Sequence, residues 1–410
     1  MRKVAIIGAG AAGVVCSIYA ASNDLEVVLF DKNKRALKKL LATGNGRCNY
    51  WNRDQDLSHY HSRNEELISS IITPQVQKEV LPFFESLGIV PNIRNGYYYP
   101  FSNQASSIRD ILESEALRRG VIFSLATEVL DIYKEKSKFV VSYEDKKEYF
   151  DDLVIATGSK ASPKTGSTGD GYFFAERFGH SVVPVYPSLV QMITEGNFLN
   201  DWAGVRSLCS VSLYENNQLV KKEEGEIQLT NYGVSGICVF NLSRYVSIGI
   251  EKKKEMLLKI NFMPFLEDMT KEEVWQWFSF RGRDLGLLSL VEFLEGILPY
   301  KLLMVILKRS GLSFKRTWND LEDLEKKQLI SMILEFPLSV LGTKDFSHSQ
   351  VCSGGVPLTE VDCYLESKKV KHLYFIGEVL DVDGDCGGYN LGFAFMSGMI
   401  VGKALRGDMK

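Results

Sequence analysis

The sequence predicts an α/β fold in which the two ends of the chain build one parallel-sheet domain around a β-rich middle. Three stretches carry that prediction. Val4-Ala5-Ile6-Ile7 runs into Gly8-Ala9-Gly10-Ala11-Ala12-Gly13. Asp152-Leu153-Val154-Ile155 runs into Ala156-Thr157-Gly158. Val370 to Ile376 runs into Gly377-Glu378. Each is a short apolar run, as expected of a parallel strand buried on both faces. Each ends in small residues that let backbone approach a ligand.

The first stretch is the most informative. Val14 to Ala21 follows with Val14, Ile18 and Ala21 spaced for one helical face, and Glu26-Val27-Val28-Leu29-Phe30 then ends in Asp31. This is a βαβ unit with the dinucleotide fingerprint in its first turn. Gly8 permits the tight turn, Gly10 lets backbone approach a pyrophosphate, and Gly13 lets helix and strand pack closely. The helix N-terminus offers free N–H groups and a positive dipole end to phosphates. Asp31 lies 18 residues past Gly13, where a carboxylate accepts the ribose hydroxyls of an adenosine and disfavours a 2′-phosphate. The motif by itself does not separate NAD from FAD.

Residues 38–49 depart from a simple Rossmann repeat. Lys38 and Lys39 lead into Thr43-Gly44-Asn45-Gly46-Arg47-Cys48-Asn49. Gly44 and Gly46 suggest backbone held close to a ligand. Arg47 can pair with an anion and Asn49 can hydrogen-bond a ring edge; a solvated surface loop is the alternative. Residues 64–89 read as helical, punctuated by Pro74 and Pro82. Tyr97 to Phe101 reads as an aromatic strand or loop used for packing. Ser107 to Arg118 reads as a helix with Ile108, Ile111, Leu112 and Leu117 on its apolar side. Val121–Phe123 and Glu128–Tyr133 read as strands, and Lys138–Tyr143 with Glu148–Phe150 as a β-meander. Gly166 to Gly171 opens a helix over Tyr172–Phe178; it lacks the Lys-Ser/Thr ending of a P-loop, so it reads as a structural or cofactor-adjacent loop.

A boundary falls at Pro184–Pro187. Beyond it the texture changes to short strands such as Ser207–Tyr214 and Gly225–Leu229, with a hairpin turn at Asn216-Asn217. Leu257–Phe262 is another strand, Thr270–Ser313 is mainly helical with its aromatics in a core, and Thr317–Glu335 is helical again. At the C-terminus, Asp381 to Asn390 is an acidic, Gly-rich loop opening a helix over Leu391–Leu405 that contains Gly392, Ser397, Gly398 and Gly402. An acid after a strand and a Gly-rich loop opening a helix form the second half of an FAD site, the helix dipole facing the flavin's pyrimidine end.

Composition excludes several classes. The 410 residues are 45% hydrophobic and 24% charged, as in a soluble globular chain of two or three domains. A net charge of −3 gives no case for nucleic acid or an anionic membrane. No apolar run approaches the roughly 18 residues of a membrane span, and the basic start Met1-Arg2-Lys3 is not followed by a signal peptide. Seven scattered cysteines without a CxxC fit a reduced, cytoplasmic compartment, and five histidines offer no metal site.

Together these segments resemble the BaiN/YhiN and aminoacetone oxidase type of bacterial FAD-dependent flavoproteins, a three-domain family. The marks are Thr43–Asn49, Tyr99-Pro100-Phe101-Ser102, Ala156-Thr157-Gly158, Asn231-Tyr232-Gly233-Val234-Ser235-Gly236, Ser353-Gly354-Gly355-Val356, and Gly377-Glu378 through Gly387-Gly388-Tyr389-Asn390-Leu391. Departures are mild: Tyr98 and Tyr99 replace an aliphatic and a Phe, Gly392 a Gln, and Asp31 a Glu. The resemblance implies a split FAD-binding Rossmann-like domain (1–188 and 346–410). It also implies an inserted β-barrel-like domain (189–264 and 315–345) that carries a helical insertion (265–314). It places FAD contacts on Gly8, Gly10, Ala11, Ala12, Gly13, Asp31, Lys32, Lys39, Gly46, Arg47, Cys48, Val129, Thr157, Gly158, Gly377, Glu378, Asn390 and Leu391.

Only one dinucleotide fingerprint occurs, and FAD takes it, so no dedicated NAD(P)H domain is expected. That favours oxygen as acceptor, and the resemblance then implies an oxidase of a small primary amine such as aminoacetone. The same resemblance allows an NAD(P)H-dependent reductase of conjugated C=C bonds in hydrophobic, bile-acid-like ketones. A non-catalytic FAD-binding or sensing protein is the rival from another class, and the charge balance counts against an RNA-modifying enzyme. A small-molecule substrate and a monomer or homodimer are expected. No catalytic base is assigned; Arg47, Cys48, Asn49 and Tyr389 are the side chains expected near the flavin, and Cys48 is expected to pack rather than react.

Overall fold

Five mostly apolar strands form a parallel sheet, described by a computed structural model covering residues 1–408. The strands are β1 (Arg2–Ile7), β2 (Leu25–Asp31), β3 (Ile122–Leu125), β4 (Asp152–Ile155) and β5 (Leu373–Phe375), in the order β5-β4-β1-β2-β3. Helix α1 (Ala11–Ala20) connects β1 to β2. The register levels the strand ends: Ile7 pairs with Phe30 on one side and with Ile155 on the other, and Ile155 pairs with Phe375. The residues just beyond those ends therefore share one edge, with β1 at the switch point where α/β sheets bind ligands. That edge carries Gly8, Asp31, Ala156-Thr157-Gly158 and Gly377-Glu378.

Two of the three fingerprint glycines are demanded by the fold. A Cβ on Gly8 (φ +113°) would lie 2.4 Å from the Ala156 carbonyl oxygen, and one on Gly13 would lie 2.0 Å from the Gly8 oxygen. The C-terminal helix α2 (Tyr389–Arg406) lies against α1 through its small residues: a Cβ on Gly398 would sit 2.5 Å from the Ala12 oxygen, and one on Gly402 would sit 2.4 Å from the Tyr19 Cβ. Gly392 instead faces a flat ring, that of Trp51, at 3.0 Å.

The chain forms two compact units, Met1–Tyr186 with the chain from Gln350 onward, and Pro187–Ser349. The second unit contains a closed, antiparallel six-strand barrel, ordered 192–194, 233–235, 218–229, 206–215, 256–261, 336–343. Its long hairpin turns at Asn216 (φ +46°) and Asn217 (φ +66°), the pair of left-handed residues that a tight two-residue turn needs. Cys209, Val211, Leu258, Ile260 and Leu338 share one continuous core with the helices of this unit. Trp318 stacks on Phe293 at 4.9 Å, and Phe278 is buried beside them. Helix starts at Thr270 and Ser289 are fixed by reciprocal capping to Glu273 and Glu292.

Some sequence expectations are corrected. Residues 317–322 are not helical: Thr317 N–H donates to Asp320 Oδ2 at 2.9 Å, a local turn, and the helix is Asp323–Leu334. The last parallel strand is only Leu373–Phe375, because His372 takes φ +69°. Trp275 and Trp277 are half-buried rather than core. A helix at Ile237–Glu251, buried on most sides, was not anticipated.

Candidate functional site

The edge of the parallel sheet divides into three zones, all within the first unit. In the first, a cleft open to solvent lies beside Gly8, with Asp31, Lys32, Val129, Thr157 and Gly166 on its walls. The Asp31 carboxylate accepts the Ala9 N–H (2.9 Å), the Asn33 N–H (2.7 Å) and the Asn33 Nδ2 (3.0 Å). A carboxylate has about four acceptor positions, so one remains for a ribose hydroxyl. Lys32 is committed to Asp170 (2.6 Å) and Thr168, at the rim. Thr157 Oγ1 is buried without a hydrogen-bond partner.

The second zone is the N-terminus of α1. Gly10 has φ −81° and ψ −171°, an extended conformation open to any residue, and a Cβ there would meet nothing within 4 Å. The fold therefore does not require glycine at position 10. Space in front of free helix N–H groups is what a diphosphate needs. Ala11 and Ala12 begin the helix, and Gly377 (φ +69°) packs over it, where its Cβ would lie 2.9 Å from that of Ala12. Gly377 N–H donates to Ser397 Oγ at 3.0 Å, tying the end of β5 to α2. Lys39 Nζ donates to Glu378 Oε2 at 2.6 Å, and the buried Ser159 Oγ donates to the same oxygen at 3.1 Å. One carboxylate thus joins the segments that follow β2, β4 and β5. Gly158 (φ +75°) lies beside Ser167.

The third zone is the N-terminus of α2. Asn390 uses its whole side chain on its own loop: Oδ1 accepts the Gly384 N–H and Nδ2 donates to the Gly384 oxygen, both at 2.8 Å. Asn52 Nδ2 donates to the Gly387 oxygen at 2.9 Å, so the 44–52 and 384–388 loops interlock. Gly46 (φ +81°) has open space around it, Arg47 is exposed, and Leu391 is half-buried. Cys48 is fully buried, and burial pushes its thiol up to about 12, so it packs, as expected. Burial likewise raises Cys386 to about 11, which leaves no thiolate here at neutral pH. Tyr98 packs on Tyr50, whereas Tyr97 faces Gly387 and Tyr99 faces Gly44.

Sequence reasoning missed a set of side-chain links behind this zone. His59 stacks on Tyr389, the first residue of α2, at 4.5 Å, with Nδ1 3.1 Å from Asp385 and Nε2 3.1 Å from Asp54. His61 reaches the other Asp385 oxygen at 2.9 Å. Burial disfavours charge on His59, but its hydrogen bonds to Asp385 and Asp54 outweigh that and hold its pKa above the usual value. The sign follows from linkage. The stabilisation is fully present below the unfolded value of about 6.5 and is lost as pH rises through the raised folded value. The pair is partly exposed, so under about 1 kcal/mol is at stake. The melting temperature of the wild type is expected to exceed that of His59→Gln by roughly 1–3 °C at pH 6. That gap should close at pH 9; an equal gap at both pH values contradicts the role.

The residues fit FAD: a cleft with a free carboxylate position beside the orphaned Thr157 hydroxyl, and a phosphate space that the fold leaves open. Among the described residues there is no group of side chains suited to a metal ion, and no helix is long and apolar enough to cross a membrane.

Comparison with known proteins agrees. Residues 2–404 match the family model described as the HI0933-like protein Rossmann domain. The chain is 36% identical, over 98% of its length and 99% of the relative's, to a 3-dehydro-bile acid delta(4,6)-reductase of Clostridium scindens. It is 30% identical to a ribosomal RNA dihydrouridine synthase of Escherichia coli, over 96% of this chain and 95% of that one. Among solved structures, an open-conformation flavocytochrome c3 fumarate reductase shares the fold with a TM-score of 0.50 at 15% identity, covering 100% of this chain and 79% of that one.

Proposed function

The chain belongs to the HI0933-like family of FAD-binding oxidoreductases, and on that premise we propose that it reduces carbon–carbon double bonds conjugated to a carbonyl. One observation carries this reading. Two enzymes that it resembles over nearly its whole length, a bile-acid delta(4,6)-reductase and a dihydrouridine synthase, both bear names that denote saturation of a C=C bond next to a carbonyl. Their names favour the reductase over the amine oxidase that the sequence alone suggested.

Bound FAD would supply the two-electron carrier between NAD(P)H and the β-carbon of the substrate, with a proton added at the α-carbon. The chain's own residues bind and orient. The α1 N-terminus and the space over Gly10 hold the diphosphate, and the fourth acceptor position of Asp31 holds the ribose. The Lys39–Glu378–Ser159 link keeps the three strand ends in one arrangement. The His59–Asp385–His61 set fixes the loop that opens α2.

A small apolar enone is the substrate class favoured by charge. A net charge of −3 and a pI of about 6.1 give little with which to neutralise an RNA backbone. Uridine in ribosomal RNA is the second reading, supported by the 30% identical relative. The test is mass spectrometry after incubating holoenzyme and NADPH or NADH with a steroid 4,6-dien-3-one. A parallel arm uses ribosomal RNA, and a third uses aminoacetone with peroxide detection. Gain of two mass units by the dienone is expected. Gain only by uridine moves the substrate to RNA, and peroxide from aminoacetone without reduction of either contradicts the reading.

A further inference from the structure

Asn49 carries a carboxamide that nothing in the fold uses. Its Oδ1 is buried and makes no hydrogen bond to any described residue. An unpaired buried acceptor is unfavourable and uncommon, so it calls for a partner outside the chain. The backbone goes to some trouble to put it there. Gly44 (φ +56°), Asn45 (φ +55°), Gly46 (φ +81°) and Cys48 (φ +61°) all take left-handed conformations, two of them without glycine's freedom. The buried Cys48 anchors this turn, its N–H donating to the Thr43 oxygen at 3.1 Å.

The turn delivers the carboxamide to the start of α2. A Cβ on Gly388, the residue that caps that helix, would lie 3.1 Å from Asn49 Oδ1 and 2.8 Å from the Trp51 carbonyl carbon. A Cβ on Gly44 would lie 3.1 Å from the Asn49 backbone nitrogen. Glycine therefore stands against the Asn49 backbone on one side and against its Oδ1 on the other. With the adenosine cleft at Asp31 and the diphosphate space at Gly10, this is the remaining zone of the edge, where the ring system of FAD has to lie. The pyrimidine edge of that ring presents C=O, N–H and C=O in sequence. A carboxamide offers the complementary acceptor and donor pair.

We propose that Asn49 recognises the pyrimidine edge of the flavin, Oδ1 accepting the N3–H and Nδ2 donating to an adjacent ring carbonyl. This rests on FAD binding and not on the choice of substrate, so it stands or falls apart from the reductase reading. Asn49 is then a cofactor-orienting residue, and its loss loosens the ring while leaving the adenosine and diphosphate contacts in place.

The test is equilibrium binding to apoprotein of FAD and of N3-methyl-FAD, which lacks the N3 donor. Wild-type protein is expected to bind the methylated analogue about tenfold more weakly. Asn49→Ala is expected to bind FAD about tenfold more weakly than wild type and to accept both flavins equally. Equal affinity of the wild type for the two flavins overturns the proposal. So does discrimination that persists undiminished in Asn49→Ala, because another wall would then be rejecting the methyl group. The comparison on wild-type protein needs no variant, and Asn49→Ser serves should the alanine variant fail to fold.

Discussion

Gly10→Val yields a folded protein that does not hold FAD. The conformation of Gly10 is extended and its Cβ direction is empty to 4 Å, so valine meets no protein atom at its Cβ and strains no backbone. The apoprotein is expected to keep its stability to within about 0.5 kcal/mol, as for a substitution away from packed features. The ligand loses far more. The two methyl groups occupy the space in front of the α1 N–H groups, where a diphosphate would take several charge-assisted hydrogen bonds of about 1.5–3 kcal/mol each. Loss of two of them weakens FAD by about 10²- to 10⁴-fold. The measurement is the flavin content of purified protein by its visible absorbance, beside the melting curve of the apo form. A normally yellow variant contradicts the placement of the diphosphate.

Gly13→Ala, three residues on, acts in the opposite way. Its Cβ is directed at the Gly8 carbonyl oxygen, 2.0 Å away, and at the Ala156 side chain, 3.3 Å away. The nearest atom is backbone, held by the Gly8 N–H to Phe30 oxygen bond of 2.8 Å, so no rotamer change relieves the clash. Overpacking commonly costs about 1–3 kcal/mol; with no flexible neighbour to yield, about 3–5 kcal/mol is expected. That is a large share of the roughly 5–15 kcal/mol by which proteins are stable. Most of the variant should be insoluble, and the remainder should unfold at a much lower urea concentration. A midpoint equal to that of the wild type contradicts the packing argument. The same motif thus contains one glycine kept for its ligand and others kept for the fold.

The parts of the site carried by contiguous sequence were legible. The apolar run, the glycine turn and the terminal acid at residues 4–31 are local signals, and each followed from backbone sterics or strand periodicity. The 156–158 and 377–378 turns were legible because they repeat the same strand-then-small-residue pattern. What escaped were links between segments far apart in the chain: Ser159 on Glu378, Asp170 on Lys32, and His59 and His61 on Asp385. No local pattern marks such a partner, because the register of the sheet creates it. Asp31 was read as a ribose ligand, but three of its acceptor positions serve the fold, which sequence could not reveal. The helix at Ile237–Glu251 escaped because it is buried on most sides and so lacks the polar face that betrays a helical period. The short turn at Thr317–Asp320 escaped because its Thr and Asp pair with each other's backbone rather than continuing a helix.

An anaerobic visible spectrum shows whether FAD on this chain passes electrons from a nicotinamide to a conjugated enone, as proposed. Holoenzyme is mixed with NADPH or NADH, then with a steroid 4,6-dien-3-one, and separately with aminoacetone. Bleaching of the flavin by the nicotinamide, and return of colour on adding the dienone without air, are expected. Bleaching by aminoacetone alone, with colour restored only by oxygen, would contradict the reductase reading.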